Sequence, residues 1–266
     1  MKHIAVVLAG ALTLGALAGC EASVTTAPAK AKAMASPTPS KPPLPPKEAL
    51  TEAGKALDTT AYNFALKQGD MTGGGRVDPK THAAVLDMGG DVDLGTGSTT
   101  HMSLAYTVVK PDLWLKADFG DMLNKEYELQ PGGWLHIDRT KITETAHPVD
   151  EDGDPEIGVT ELLTGLVEVT RPDKTHFTGT IDVTDVGGIM APSDGTLKNA
   201  GAKAKSLPFT AMVDEQGRLT TFAIDGAAVD PDLSTQLTFT GFGSVLPVTA
   251  PTSATEATPK VYELIG

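Results

Sequence analysis

Cysteine is nearly missing from this chain: Cys20 is the only one in 266 residues. Whatever folds downstream of it has no internal disulfide, no thiolate nucleophile and no cysteine-ligated metal. Aromatic residues are sparse, at 5 %, and positive charge is in deficit, with 21 Lys and Arg against 34 Asp and Glu. The deficit is uneven. Residues 20–47 carry four lysines and one acid, whereas Glu48 onward holds 16 basic and 33 acidic residues, a net of −17. So acidic a surface repels phosphate backbones and excludes nucleic acid as a partner. Long apolar runs are also lacking. The only extended one, residues 4–17, falls short of the roughly 20 residues needed to span a bilayer.

Signatures of catalysis are missing too. There is no Gly-x-Ser-x-Gly elbow, and Gly73-Gly74-Gly75 lacks the Lys-Ser/Thr of a phosphate-binding loop, reading instead as a flexible turn. The six histidines (His3, His82, His101, His136, His147, His176) never pair at metal-binding spacing, and His101 and His176 read as solvent-facing strand positions. Asp and Glu are plentiful, but no motif fixes two of them as an acid–base pair. The expectation is a protein that is not an enzyme and uses no cofactor. The acidic run Asp150-Glu151-Asp152-Gly153-Asp154-Pro155-Glu156 leaves two readings open. Alternating carboxylates around a glycine suit calcium, although Pro155 and a missing distal glutamate spoil an EF-hand. A solvated loop feeding a helix start accounts for the same residues.

What is present begins at the N-terminus. Lys2 and His3 precede the apolar residues 4–17, and Leu17-Ala18-Gly19-Cys20 follows. A basic start, a short apolar stretch and small residues before a cleavage point make a secretory signal. The last four residues resemble the lipobox of bacterial lipoproteins. That resemblance implies a signal peptide over residues 1–19, removed by cleavage, and a diacylglyceryl group on the Cys20 thiol. It also implies a fatty acyl group such as palmitate on the new amine. Two or three chains on one residue hold a protein to a membrane far more firmly than one. The expected location is the extracytoplasmic face of the cell membrane.

Residues 20–47 then read as a stalk, with seven prolines between 21 and 46 among Ala, Ser, Thr and Lys, and no apolar period to bury. Residues 249–266 open on a similar composition and read as a flexible C-terminal tail. Between them, residues 48–248 are one domain's worth of chain. Residues 48–57 suit a short helix after a proline pair. Beyond it the period turns to two. Tyr62, Phe64 and Leu66 share one face; so do Met102, Leu104, Tyr106 and Val108, and then Leu113, Leu115 and Ala117. Phe177, Gly179, Ile181 and Val183 repeat the pattern, as do Phe209, Ala211 and Val213 before the turn Asp214-Glu215-Gln216-Gly217, and Leu237 and Phe239 after it. Such alternation marks half-buried antiparallel strands. Residues 156–167 and 196–205 read as inserted helices. The fold class is α+β, a mostly antiparallel sheet with helices on one face.

Three segments make the reading narrower: Leu57-Asp58-Thr59-Thr60-Ala61-Tyr62-Asn63-Phe64, Val108-Val109-Lys110-Pro111-Asp112-Leu113-Trp114-Leu115, and Leu207-Pro208-Phe209-Thr210-Ala211-Met212-Val213-Asp214-Glu215-Gln216-Gly217-Arg218-Leu219. With the lipobox and stalk, they resemble the LppX/LprAFG family of actinobacterial lipoproteins. The resemblance implies a curved antiparallel β-sheet, a half-barrel, with helices packed on its concave face around an apolar cavity. It implies a non-catalytic protein that binds or carries an acylated lipid or glycolipid. The alternation nominates Leu104, Tyr106, Leu113, Leu115, Phe177, Gly179, Ile181, Phe209 and Phe239 as cavity-lining, with Gly179 the gap that admits an acyl chain. The rival class is a structural or interaction lipoprotein with a solid core, binding a protein or wall polymer; inward apolar residues line a cavity and fill a core alike. The motif at Cys20 generates a first test. Cys20→Ala should abolish lipid labelling and release the chain from membranes, or leave it uncleaved; retention in washed membranes after signal removal would show that lipid is not the tether.

Overall fold

The computed structural model describes residues 43–93, 99–142, 148–150 and 152–265. Cys20, the signal segment and the stalk as far as residue 42 lie outside the described residues.

The first helix, α1 (Pro46–Lys55), starts on proline at its first turn, carries Glu48 near its N-terminus and Lys55 in its last turn, and buries Leu50 and Ala53. Proline is tolerated where an N–H has no intrahelical partner, and the two charges complement the helix dipole. Then six strands follow: β1 (Tyr62–Gln68), β2 (Met71–Asp78), β3 (Ala83–Asp93), β4 (Thr99–Val109), β5 (Asp112–Asp118) and, after the short helix α2 (Gly120–Glu126), β6 (Leu135–Ile137). A third helix, α3 (Val159–Thr164), leads into β7 (Leu166–Thr170) and β8 (His176–Ile181). After α4 (Asp194–Ala200) come β9 (Leu207–Val213), β10 (Leu219–Ile224) and β11 (Thr235–Thr240); β12 (Thr255–Glu256) and α5 (Pro259–Ile265) end the chain.

All twelve strands form one open sheet in the order β12-β6-β5-β4-β3-β2-β1-β11-β10-β9-β8-β7. Every pairing is antiparallel except β12 with β6. The fold is therefore α+β, with two meanders joined where β1 meets β11. Turn chemistry supports it locally. The Asp214 carboxylate accepts from the Gln216 and Arg218 amides at 3.0 and 2.9 Å, and Gly217 takes the left-handed backbone (φ +81°) that closes the β9–β10 hairpin.

Register keeps one face apolar from strand to strand. Across nine strands, Ala117, Leu104, Met88, Gly73, Leu66, Leu237, Phe222, Ala211 and Phe177 stand directly opposite one another in turn. A second row runs Leu135, Leu115, Tyr106, Leu86, Gly75, Phe64 and Phe239. The buried side chains of these rows belong to a single core cluster, with Leu104 and Met88 packed against it; the cluster also takes in Leu50 and Leu57, Leu162 and Leu163 of α3, Ala204 and Val261 of α5. Phe177, Phe222 and Leu237 are at most 1 % exposed. Each such side chain contributes on the order of 1.5–3 kcal/mol by leaving water. The other face is polar, as in the row Lys67, Gln236, Ala223, Thr210, Thr178 and Thr170.

Three sequence expectations change. Gly73-Gly74-Gly75 is not a turn but the middle of β2. A Cβ on Gly75 would collide with the Val85 carbonyl and lie 3.0 Å from Leu86 Cα, so glycine is what lets β2 and β3 approach this closely on the apolar face. The helix expected over residues 156–167 is only α3, and Val167 belongs to β7. The tail expected from residue 249 is built into the fold: β12 pairs with β6, Val261 is fully buried, and the Tyr262 hydroxyl accepts from the Asp138 amide at 2.8 Å.

A histidine fastens that tail. On the polar face His136 Nδ1 lies 3.0 Å from Glu256 and Nε2 lies 3.1 Å from Asp112, with Trp114 beside the ring. Only the imidazolium donates from both nitrogens. Partial burial pulls its pKa down, but the two carboxylates outweigh that and leave it raised above 6.5. A raised histidine pKa stabilises the fold below the unfolded value, and the contribution disappears as pH climbs through the folded value. Urea titrations at stepped pH should show a loss of up to about 1 kcal/mol above pH 6.5, in keeping with a largely solvated pair. His136→Gln should remove that slope; an unchanged slope would show that the latch contributes nothing.

Candidate functional site

The nine nominated cavity residues all fall on the apolar face. Leu104 and Tyr106 lie on β4, opposite Ala117 and Leu115 of β5, with Leu113 one step further along. Phe177, Gly179 and Ile181 lie on β8, opposite Ala211, Phe209 and Leu207 of β9, and Phe239 lies on β11 opposite Phe64. The sheet order places the two sets toward opposite flanks, with Phe239 between them. Core packing links them. Tyr106, Leu113, Leu115, Phe177, Ile181, Phe209 and Phe239 are all members of the one buried cluster, and Phe209 stacks on Phe222 with ring centroids 5.2 Å apart. Burial pushes the Tyr106 phenol up to about 12, so it stays protonated.

Leu104, like Gly179, differs from the other seven. It is half-buried, as are Met88 opposite it and Phe119 just beyond β5. The apolar face is thus partly open to water at the β3–β5 end, as it is at Gly179 and Val169 on the opposite flank. Sequence reasoning did not nominate Met88 or Phe222, both in the same row as Leu104. The signal for Met88 was weak because Gly89 and Gly90 interrupt its strand's alternation.

Gly179 has the expected facing but not the expected purpose. A Cβ there would collide with the Glu168 carbonyl of β7 and lie 2.9 Å from Phe209 Cε1. The space over this glycine is occupied by neighbouring backbone and an aromatic ring. Glycine serves close approach at this point, not ligand entry.

The acidic segment is a tight turn. The Asp150 amide donates to Asp154 O at 2.9 Å, the Asp154 amide donates to Asp150 Oδ1 at 2.8 Å, and Val149 bridges Pro155. Asp154 is bound by Lys110 Nζ at 3.1 Å and His82 Nδ1 at 2.5 Å. Burial opposes the charge, yet hydrogen bonds from Lys110 and His82 hold its carboxyl below the usual range. Glu151 lies outside the described residues. Among the described residues no group of three or more His, Asp or Glu side chains converges as a metal site. His101 and His176 are exposed and face Asp91 and Asp173, at 2.9 Å in each case.

No family model, no curated protein and no solved structure matches this chain. Among the described residues no helix is long and apolar enough to cross a membrane.

The geometry at Gly179 generates a test. Gly179→Trp should lower unfolding free energy by about 1–3 kcal/mol or more, the cost of forcing volume into packed space. Urea denaturation measures it. A variant as stable as the parent would show open space over the glycine after all.

Proposed function

We propose that this chain is a lipoprotein tethered through lipid on Cys20 to the extracytoplasmic face of the cell membrane. In this reading its domain binds or carries an acylated lipid or glycolipid without catalysis. The observation that carries the proposal is the apolar face, uninterrupted across nine strands of an open sheet. Such a face, if the sheet coils, becomes the inside of a half-barrel, and helices over its concave side leave a seam in which acyl chains can lie. The crowded glycines of β2 support coiling, since glycine kinks are a means by which sheets curve. The half-buried Leu104, Met88 and Phe119 make the β3–β5 end the natural mouth. The lipobox, the stalk and the segments that resemble LppX/LprAFG lipoproteins point the same way, by analogy of fold and not by a site signature.

One observation favours the second reading, a structural lipoprotein with a solid core that binds a protein or wall polymer. Seven of the nine nominated residues are at most 3 % exposed, and the space over Gly179 is filled. The carrier reading answers that acyl chains enter by displacing side chains at the mouth, as lipid sites in packed domains require some opening.

Native mass spectrometry of the chain carrying Cys20→Ser, expressed in its secreting host, separates the two. The carrier is expected to retain one acylated species per chain, released on denaturation, and Leu104→Trp is expected to reduce that occupancy. Protein that is empty in every preparation favours the solid core.

A further inference from the structure

One cleft serves neither the apolar face nor the C-terminal latch. It holds about 350 Å³ and lies between the start of β1, the β2–β3 turn and the segment 150–160. We propose that it binds a primary alkylammonium group, with the hydrocarbon against Leu57, Val77 and Ile157 and the nitrogen among Asp58, Glu156 and the Tyr62 hydroxyl.

The lining is apolar below and anionic above. Leu57, Val77 and Ile157 are at most 4 % exposed, while Asp58 and Glu156 carry the polar wall. The nearby basic side chains are already engaged: Lys110 and His82 with Asp154, Lys55, whose charge reaches Asp58, with Glu52 at 2.6 Å, and an Arg139 Nη with the Asp150 carbonyl at 3.3 Å. Asp58 accepts only a 3.3 Å hydrogen bond from Thr160, and Glu156 has no cation beside it among the described residues. Burial, with Glu161, Asp150 and Asp58 nearby, pushes the Glu156 carboxyl up, and burial does the same to Asp58. Glu156 therefore lacks the positive partner that its setting calls for, and Asp58 feels only the charge of Lys55, which is itself bound to Glu52.

Tyr62 is the independent sign of a ligand. It is 4 % exposed, its ring packs against Phe239 at 5.6 Å, and it lines the cleft. Its hydroxyl has no hydrogen-bond partner among the described residues; burial and the charges of Asp58 and Glu156 push its pKa up and keep it protonated. The ring is buried, but the hydroxyl is not one of the sealed, unpaired atoms of the core; it belongs to the cleft wall, where a ligand atom can complete its hydrogen bonding. An ammonium has three donors, matching one phenolic oxygen and two carboxylates. A hard divalent cation requires six to eight oxygens around one point, and no such convergence exists among the described residues. The apolar wall selects an amine that bears a hydrocarbon chain.

The proposal does not depend on what the sheet's apolar face holds, and its test uses no lipid. Titrate n-hexylammonium chloride into the chain carrying Cys20→Ser, following amide NMR shifts, with sodium hexanoate as the control of opposite charge. Saturable 1:1 binding of the amine, with shifts around residues 58, 62 and 156, is expected; hexanoate should not bind. Glu156→Gln should weaken the amine at least about tenfold, the weight of one charge-assisted hydrogen bond. Tyr62→Phe keeps the ring and should weaken it by a smaller factor. Asp58→Asn removes the other charge of the polar wall and should weaken binding as well. Failure to saturate, equal binding of hexanoate, or unchanged affinity in Glu156→Gln and Asp58→Asn would each overturn the proposal. So would calcium that binds there and excludes the amine.

Discussion

Continuity of register is the constraint from which the rest of this structure follows. Because side chains alternate across a strand, a slip of one residue at any pairing would turn a whole strand's apolar set toward water. From β5 to β8 the row through Leu104 is unbroken, although a bulge interrupts β10 between Leu219 and Thr221: Leu104 meets Ala117 on one side and Met88 on the other, and Leu66 meets both Gly73 and Leu237. Among the described residues the helices are all short, none longer than the ten residues of α1. Helices of that length are marginal alone and depend on a surface to bury against. The apolar face supplies it, and so Leu50, Leu162, Ala204 and Val261 join a core that the strands define.

Acidity also follows from this layout. With the apolar side chains gathered on one face, the opposite face and the turns are left to threonine, histidine and carboxylates. The aspartates then do local work. Asp214, Asp173 and Asp138 each accept from amides two residues on, and Asp173 and Asp138 also accept from a threonine hydroxyl there. These bonds close turns that in many chains would need glycine. Repulsion among the remaining carboxylates is left to solvent, except around Glu156.

Legibility in the sequence followed side-chain period. β1, β4, β5, β8, β9 and β11 announced themselves because Tyr62, Phe64 and Leu66, or Phe209, Ala211 and Val213, alternate cleanly with polar neighbours. β2 could not, since Gly73, Gly74 and Gly75 have no side chains to alternate; its place is set by partners on β1 and β3. β7 was hidden within a helical spacing, because Leu162, Leu163 and Leu166 fit a helix stripe as well as a helix followed by a strand. The tail looked like linker by composition, and a lone Val261 carries no period, yet one buried valine and the Tyr262 hydroxyl dock it. At Gly179 the facing was legible and the reason was not: alternation gives direction, while the closeness of the Glu168 carbonyl is a property of three-dimensional packing.

The seam between β1 and β11 has a consequence in time rather than space. From β1 to β6 and from β7 to β11, consecutive strands are also neighbours in the sheet, so their pairing needs closure over far shorter stretches of chain. Asn63 and Thr240, by contrast, are brought side by side across roughly 170 residues of intervening chain, a loop whose entropy must be met before any contact at the seam rewards it. Non-local pairing of this kind slows folding. Each meander, once made, is a half-sheet with an unsatisfied edge, β1 on one and β11 on the other, waiting for its complement. Until they meet, those two edges are the most adhesive surfaces the chain presents, and a neighbouring copy offers the same pair.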